Sequence, residues 1–206
     1  MTKIVLYIAT SKDGYIADEN GSVDWLPQSV EETGGQDYGY HEFYDSVDAL
    51  AIGRKTYEQI LGFGDWPYPG KLSYIFTRKP MESSNKDVEF VSDDIPEFIR
   101  GLENRNLKKL WMVGGSELVE AFYTQGRIDE FIVTVFPNML KKGLPLKTLS
   151  DALQKNELIK ANSTDFGSGV LCRTNVLCGE RRQNRTVFVA LFCLSVCRDR
   201  NCRCRS

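Results

Sequence analysis

The first 171 residues of this 206-residue chain contain no cysteine, and the whole chain holds a single histidine, His41. That composition leaves no Cys–His nucleophile in the body, and no Ser–His–Asp arrangement is legible there. His41 cannot build a metal site alone, so no metal is expected, and a surface position on a helix suits it better. Long apolar runs are missing as well. The longest, Val187 to Cys197, is eleven residues, too short to cross a bilayer. The opening Met1 to Ala9 has no cleavage site and is soon followed by Lys12 and Asp13, which reads as a first strand rather than a signal peptide. A net charge of −2 gives no reason to expect a nucleic-acid partner. With 42% hydrophobic and 26% charged residues, the chain is expected to be a soluble, cytoplasmic globular protein. It is long enough to bury a sizeable core as one domain, or one domain plus an appendage.

The mean charge hides a break. All six cysteines (172, 178, 193, 197, 202, 204) lie in the last 35 residues. Residues 172–206 carry eight arginines, no lysine and two acids, a net +6, which leaves −8 for residues 1–171. All thirteen lysines are in that body. We therefore read 1–171 as one domain and 172–206 as a Cys/Arg-rich tail that is not a domain. The tail cysteines match no common zinc-finger spacing, and a disulfide framework would need an oxidising compartment that nothing here indicates. A shifted reading frame fits the abrupt change in composition; a genuine appended segment is the alternative.

Within the body, Lys3 to Thr10 is a continuous apolar and β-branched stretch that reads as a strand buried on both faces, Ala49 to Ile52 and Leu110 to Val113 read as further buried strands, and Leu72 to Phe76, Val88 to Val91 and Phe131 to Phe136 as strands. Helices are expected around Tyr40, Phe43 and Tyr44 after Asp37, over Arg54 to Leu61, over Ile95 to Leu102, and from a Ser116 cap to Gln125. Ser11 to Asp37, with an Asn20-Gly21 turn, and Pro137 to Pro145 read as loops. Leu158 to Phe166 and Gly169 onward read as a closing antiparallel pair. Alternating strands and helices with short links predict an α/β fold, a mostly parallel sheet with an antiparallel C-terminal end.

Neither a G-x-G-x-x-G turn after the first strand nor P-loop spacing is present. What is present are two strand-to-glycine-to-helix junctions, Ile52-Gly53-Arg54-Lys55-Thr56 and Val113-Gly114-Gly115-Ser116-Glu117. Free N–H groups and a partial positive charge at a helix start attract phosphate, and glycine admits it close to the backbone. The same glycines would equally permit tight turns with no ligand.

Taken together, Tyr7 to Ala17, Asp24-Trp25-Leu26, Gly53 to Glu58, Phe76 to Pro80 and Val113-Gly114-Gly115 resemble the dihydrofolate reductase superfamily. They are most similar to its bacterial branch, grouped with the reductase domain of riboflavin-biosynthesis deaminase/reductases. The resemblance covers about residues 2–170. It implies that NADPH phosphates meet Gly53, Arg54, Lys55, Thr56, Gly114, Gly115, Ser116 and Glu117, and that Thr77 and Arg78 meet the 2′-phosphate. It implies that Ser11 and Asp13 are catalytic, within an S-x-D-G motif, and that Gly14 and Trp25 contact substrate. Asp13-Gly14 as a plain turn and Trp25 as core are the alternatives. Two departures stand out. The first-helix region, with Asp37 and Glu42, has no clean match to the acid that dihydrofolate reductase uses on pterin. G-R-K-T-Y-E replaces the G-T…D-x-P-x-L-x-x-R pattern usual in riboflavin-pathway reductases.

The expected activity is an NADPH-dependent reductase of a small heterocyclic or phosphoribosyl substrate, closest to 5-amino-6-(5-phosphoribosylamino)uracil reductase. Dihydrofolate reductase activity, or nucleotide binding without turnover, are the rivals. The partners expected are small molecules, with a homodimer left open.

Overall fold

The computed structural model describes residues 1–27 and 39–148, and the backbone of strands 158–166 and 169–176. The sequence expectations for Asp37, for most of the tail and for Val187 to Cys197 fall outside these residues.

Ten strands and four α-helices are described: β1 (Lys3–Thr10), β2 (Tyr15–Ala17), α1 (Tyr40–Ser46), β3 (Ala49–Gly53), α2 (Arg54–Gly62), β4 (Leu72–Phe76), β5 (Val88–Val91), α3 (Ile95–Leu102), β6 (Lys109–Gly114), α4 (Ser116–Thr124), β7 (Glu130–Val135), β8 (Leu144–Pro145), β9 (Leu158–Phe166) and β10 (Gly169–Val176). Six strands form a parallel sheet in the order β5-β4-β3-β6-β1-β7. The apolar runs are central because both faces of the sheet are covered. Ile4, Leu6, Ala51, Met112 and Phe131 pack with Phe98, Ile99 and Leu102 of α3 and Val119 and Phe122 of α4. On the other face, Val5, Ile52, Ile75 and Trp111 pack with Phe43 of α1 and Tyr57 and Ile60 of α2. A large side chain buried this way contributes about 1.5–3 kcal/mol.

The fold is therefore the α/β sheet expected, mostly parallel, with β9 and β10 pairing antiparallel and β10 lying beside β7. β10 pairs with β9 through Cys172, Arg173, Thr174 and Asn175, beyond the point where the family resemblance stops. Two expectations need correction. Part of the Ser11 to Asp37 loop is strand β2, which pairs with β8 inside the expected Pro137 to Pro145 loop; the two short segments show strand character only when brought together. Ser116 does not cap α4: the cap position belongs to Gly115, and the chain is already helical at Ser116.

The connections decide where a ligand can sit. From β3 the chain passes through α2 to β4, toward one edge; from β6 it passes through α4 to β7, toward the other. Since β3 and β6 are neighbours, their C-terminal ends diverge onto opposite faces and leave a crevice, the usual ligand position in open α/β sheets.

Candidate functional site

A cleft of about 1980 Å³ opens over this divergence. That exceeds the several hundred Å³ typical of one small-molecule pocket and leaves room for a dinucleotide beside a second ligand. At one end the two glycine junctions abut. A Cβ on Gly53 would lie 3.3 Å from Gly115 N and 3.5 Å from Gly114 O, and a Cβ on Gly115 would lie 3.0 Å from Thr56 Oγ1. The two junctions thus form one cradle rather than two separate sites. Register helps to align them: Ala51 pairs with Met112 and Ile52 with Gly114, so Val113 is skipped, a bulge that brings the glycine level with the end of β3. Gly114 has φ +136°, a conformation that side-chain-bearing residues rarely adopt.

Both helix starts in the cradle lack a side-chain cap, whereas Asp94 caps α3 by accepting from Glu97 N at 2.8 Å. A helix start without a cap retains N–H groups that can donate to an anion. Cationic side chains surround it. Arg54 donates to both oxygens of Glu58, and Lys55 forms an ion pair with Glu117 at 2.8 Å. Hydrogen bonding and charge from Lys55, together with Arg54 and Arg78, hold the Glu117 carboxyl below its ordinary range despite slight burial. Arg78 is exposed at the end of β4, beside buried Thr77, and lines both the main cleft and a smaller hollow of about 260 Å³ reaching Met81 and Phe90. The residues at 53–56, 77, 78 and 114–117 that the sequence singled out for a cofactor all line the cleft.

The residues singled out for catalysis and substrate lie elsewhere. Ser11, Asp13, Gly14 and Trp25 are not among the lining residues. Asp13 Oδ1 accepts from Ser11 Oγ at 2.7 Å and from Leu140 N at 3.2 Å, and its Oδ2 accepts from Lys141 N at 2.7 Å. Ser11 Oγ in turn accepts from Tyr15 N at 3.0 Å. Burial pushes the Asp13 carboxyl up, but the hydrogen bonds from Ser11, Lys141 and Leu140 together outweigh it and hold it below the ordinary aspartate value. A carboxylate held this way is a poor proton donor at neutral pH, and its visible work is to clasp the 11–15 turn to the loop after β7. Gly14 serves that turn with φ +88°. Trp25 stands edge-on to Phe136 with ring centroids 6.2 Å apart.

The other end of the cleft is walled by residues to which the sequence reading gave no part in a site: Tyr7, Tyr40, His41, Gln59, Tyr68, Trp111 and Thr134. Tyr7, Tyr40 and Tyr68 each set a ring edge-on to buried Trp111, at 6.2, 6.0 and 5.4 Å. The indole of Trp111 donates to Tyr7 O at 3.2 Å and so is fixed in place. Gln59 donates to Gly21 O at 2.9 Å, holding the Asn20-Gly21 turn against α2. Among the described residues no helix is long and apolar enough to cross a membrane.

Residues 71–172 match the model of the RibD C-terminal domain. The chain is 38% identical over 169 residues to YwjB of Bacillus subtilis, covering 82% of this chain and 94% of that one. YyaP of the same organism is 30% identical over 181 residues, covering 82% and 92%. Among solved structures, a Shewanella sp. PV-4 protein described as a riboflavin biosynthesis protein superposes with a TM-score of 0.66 at 26% identity, covering 86% of this chain and 100% of that one. A Thermotoga maritima diaminohydroxyphosphoribosylaminopyrimidine deaminase/5-amino-6-(5-phosphoribosylamino)uracil reductase shares the fold at 18% identity, with a TM-score of 0.62 over 86% of this chain and 57% of its own length.

Proposed function

The chain belongs to the RibD C-terminal domain family of reductase-like proteins, and from that premise we propose that it is an NADPH-dependent reductase of a small heterocyclic acceptor. The observation that carries the reading is the cradle of two uncapped helix starts, packed against each other where the sheet's wiring diverges. Glycine at 53 and 115 keeps the cradle free of side chains, so the backbone N–H groups of the first turns of α2 and α4 can donate to a diphosphate. Arg78 would meet the 2′-phosphate, and the hollow beside it would take the adenine end. When bound, NADPH supplies the hydride, and a proton from water completes the two-electron reduction of the acceptor's C=N or C=O bond. The residues of the chain bind and orient: the cradle fixes the phosphates, and the aromatic end holds the acceptor ring beside the nicotinamide. The reductase domain in this reading extends through β10.

NADPH oxidation is followed by absorbance with 5-amino-6-(5-phosphoribosylamino)uracil, with its dephosphorylated form and with dihydrofolate, alongside calorimetric titration of NADPH. Turnover of any of the three supports a reductase. Tight NADPH binding with no turnover leaves a nucleotide-binding module, and no NADPH binding removes the reading.

A further inference from the structure

The cleft divides its charges and its rings between opposite ends. Its four lining lysines and arginines, Arg54, Lys55, Arg78 and Lys79, all belong to the cradle end, by α2's first turn and the end of β4. At the other end Tyr7, Tyr40 and Tyr68 line the cleft around buried Trp111, and the one basic side chain described among the lining residues there is His41 on the exposed side of α1.

We propose that the aromatic end recognises a planar, uncharged heterocycle that carries no phosphate, so that the acceptor differs from a phosphoribosyl compound. This rests on the reductase reading, and it names the substrate class of that site. Among the described residues lining this end there is no guanidinium or ammonium, so a phosphate dianion here would shed water without a cation to replace it, an unfavourable exchange. A neutral ring finds what it needs instead. Tyr7, Tyr40 and Tyr68, set around buried Trp111, offer apolar area. The hydroxyls of Tyr40 and Tyr68 make no hydrogen bond among the described residues and can meet the polar edge of a heterocycle. Burial, then the neighbouring Tyr44 and Tyr7, pushes the Tyr40 phenol up to about 12, and burial with Tyr40 and Tyr44 pushes Tyr68 further in the same direction. Both therefore stay neutral donors across the physiological range.

The test is calorimetric titration of two matched pairs, riboflavin with its 5′-phosphate and 5-amino-6-ribosylaminouracil with its 5′-phosphate. Each is titrated into the full chain with and without saturating NADP⁺. The expected result is that in at least one pair the unphosphorylated member binds about tenfold tighter. In His41→Arg, which places a guanidinium at this end, the phosphorylated member should gain about tenfold while its partner and NADP⁺ change little. Tighter binding of the phosphorylated member to the parent chain overturns the proposal, as does no binding of any of the four. So does a His41→Arg variant that shifts both members equally. If NADP⁺ fails to bind while the pairs behave as expected, the cofactor reading falls and the assignment of the aromatic end stands.

Discussion

Adding one methyl group at Gly53 probes the cradle with little else disturbed. Gly53 has φ −73° and ψ 149°, extended backbone that alanine adopts freely, so Gly53→Ala introduces no backbone strain. Its Cβ would meet Gly115 N at 3.3 Å and Gly114 O at 3.5 Å, and backbone on that side must yield by a few tenths of an ångström. Alanine is also a weaker cap than glycine, so the folding cost should be on the order of 1 kcal/mol. For a chain of this size that lowers Tm by roughly 2–4 °C. Binding should suffer more. The methyl separates the two helix starts, and one charge-assisted hydrogen bond to phosphate lost is worth about 1.5–3 kcal/mol, a rise in the NADPH Kd of about ten- to a hundredfold. Gly101→Ala is the control: it lies in α3 with open space around it and should stabilise by about 0.5–1 kcal/mol with NADPH affinity unchanged. Calorimetric titration and thermal melting of both variants give the answer. An NADPH Kd within threefold of the parent in Gly53→Ala, or a Tm drop that alone accounts for lost binding, would refute the cradle as the phosphate site.

Arg78→Ala should erase most of a preference for NADPH over NADH, about tenfold or more in Kd; equal affinities in the parent chain would already remove the 2′-phosphate assignment. Because the folded Asp13 carboxyl is held below its ordinary value, its contribution to stability is complete above that value and disappears as pH falls through the folded one. The Tm gap between the parent and Asp13→Asn should therefore be full at pH 7 and shrink only as pH falls below about 4, while kcat falls less than tenfold; a gap that shrinks already between pH 7 and about pH 5, or a hundredfold loss in kcat at full stability, contradicts the clasp. Ending the chain after Leu171 removes five ladder partners of β9, Cys172 to Val176, and should lower Tm by several degrees relative to ending it after Val176. Identical melting of the two truncations would mean that this part of β10 contributes nothing to the sheet.

The strands were legible because burial on both faces writes continuous apolar runs, and the two glycine junctions were legible because glycine before a helix start is a local signal. Their contact was not legible. It depends on β3 and β6 being neighbours, a matter of sheet order that no local window contains. Asp13-Gly14 read equally well as a turn or as an active-site motif, and the N–H donors that hold the Asp13 carboxylate, at Leu140 and Lys141, lie 127 and 128 residues away, beyond any local window. The aromatic wall escaped for the same reason. Tyr7, Tyr40, Tyr68 and Trp111 come from four distant segments, and each alone looks like an ordinary core or surface residue. Ser116 misled because serine before a helix is the usual cap, whereas here leaving the helix start uncapped keeps the cradle's N–H groups open.

The position of β1 has a consequence for how the chain comes to be folded at all. It is made well before its neighbours, for it lies between β6 and β7, with Lys3 opposite Lys109 and Val5 opposite Glu130. At roughly 5–20 residues per second of synthesis, β1 waits on the order of 5–20 seconds for its first neighbour. Through that interval its Ile4, Val5 and Leu6, fully buried in the finished sheet, have no native strand to pair with. Pairings between residues so distant in the chain slow folding, and an unpaired apolar strand is where nascent copies would join one another. Yield during expression should therefore respond to chaperone supply and growth temperature more strongly than the stability of the finished domain would suggest.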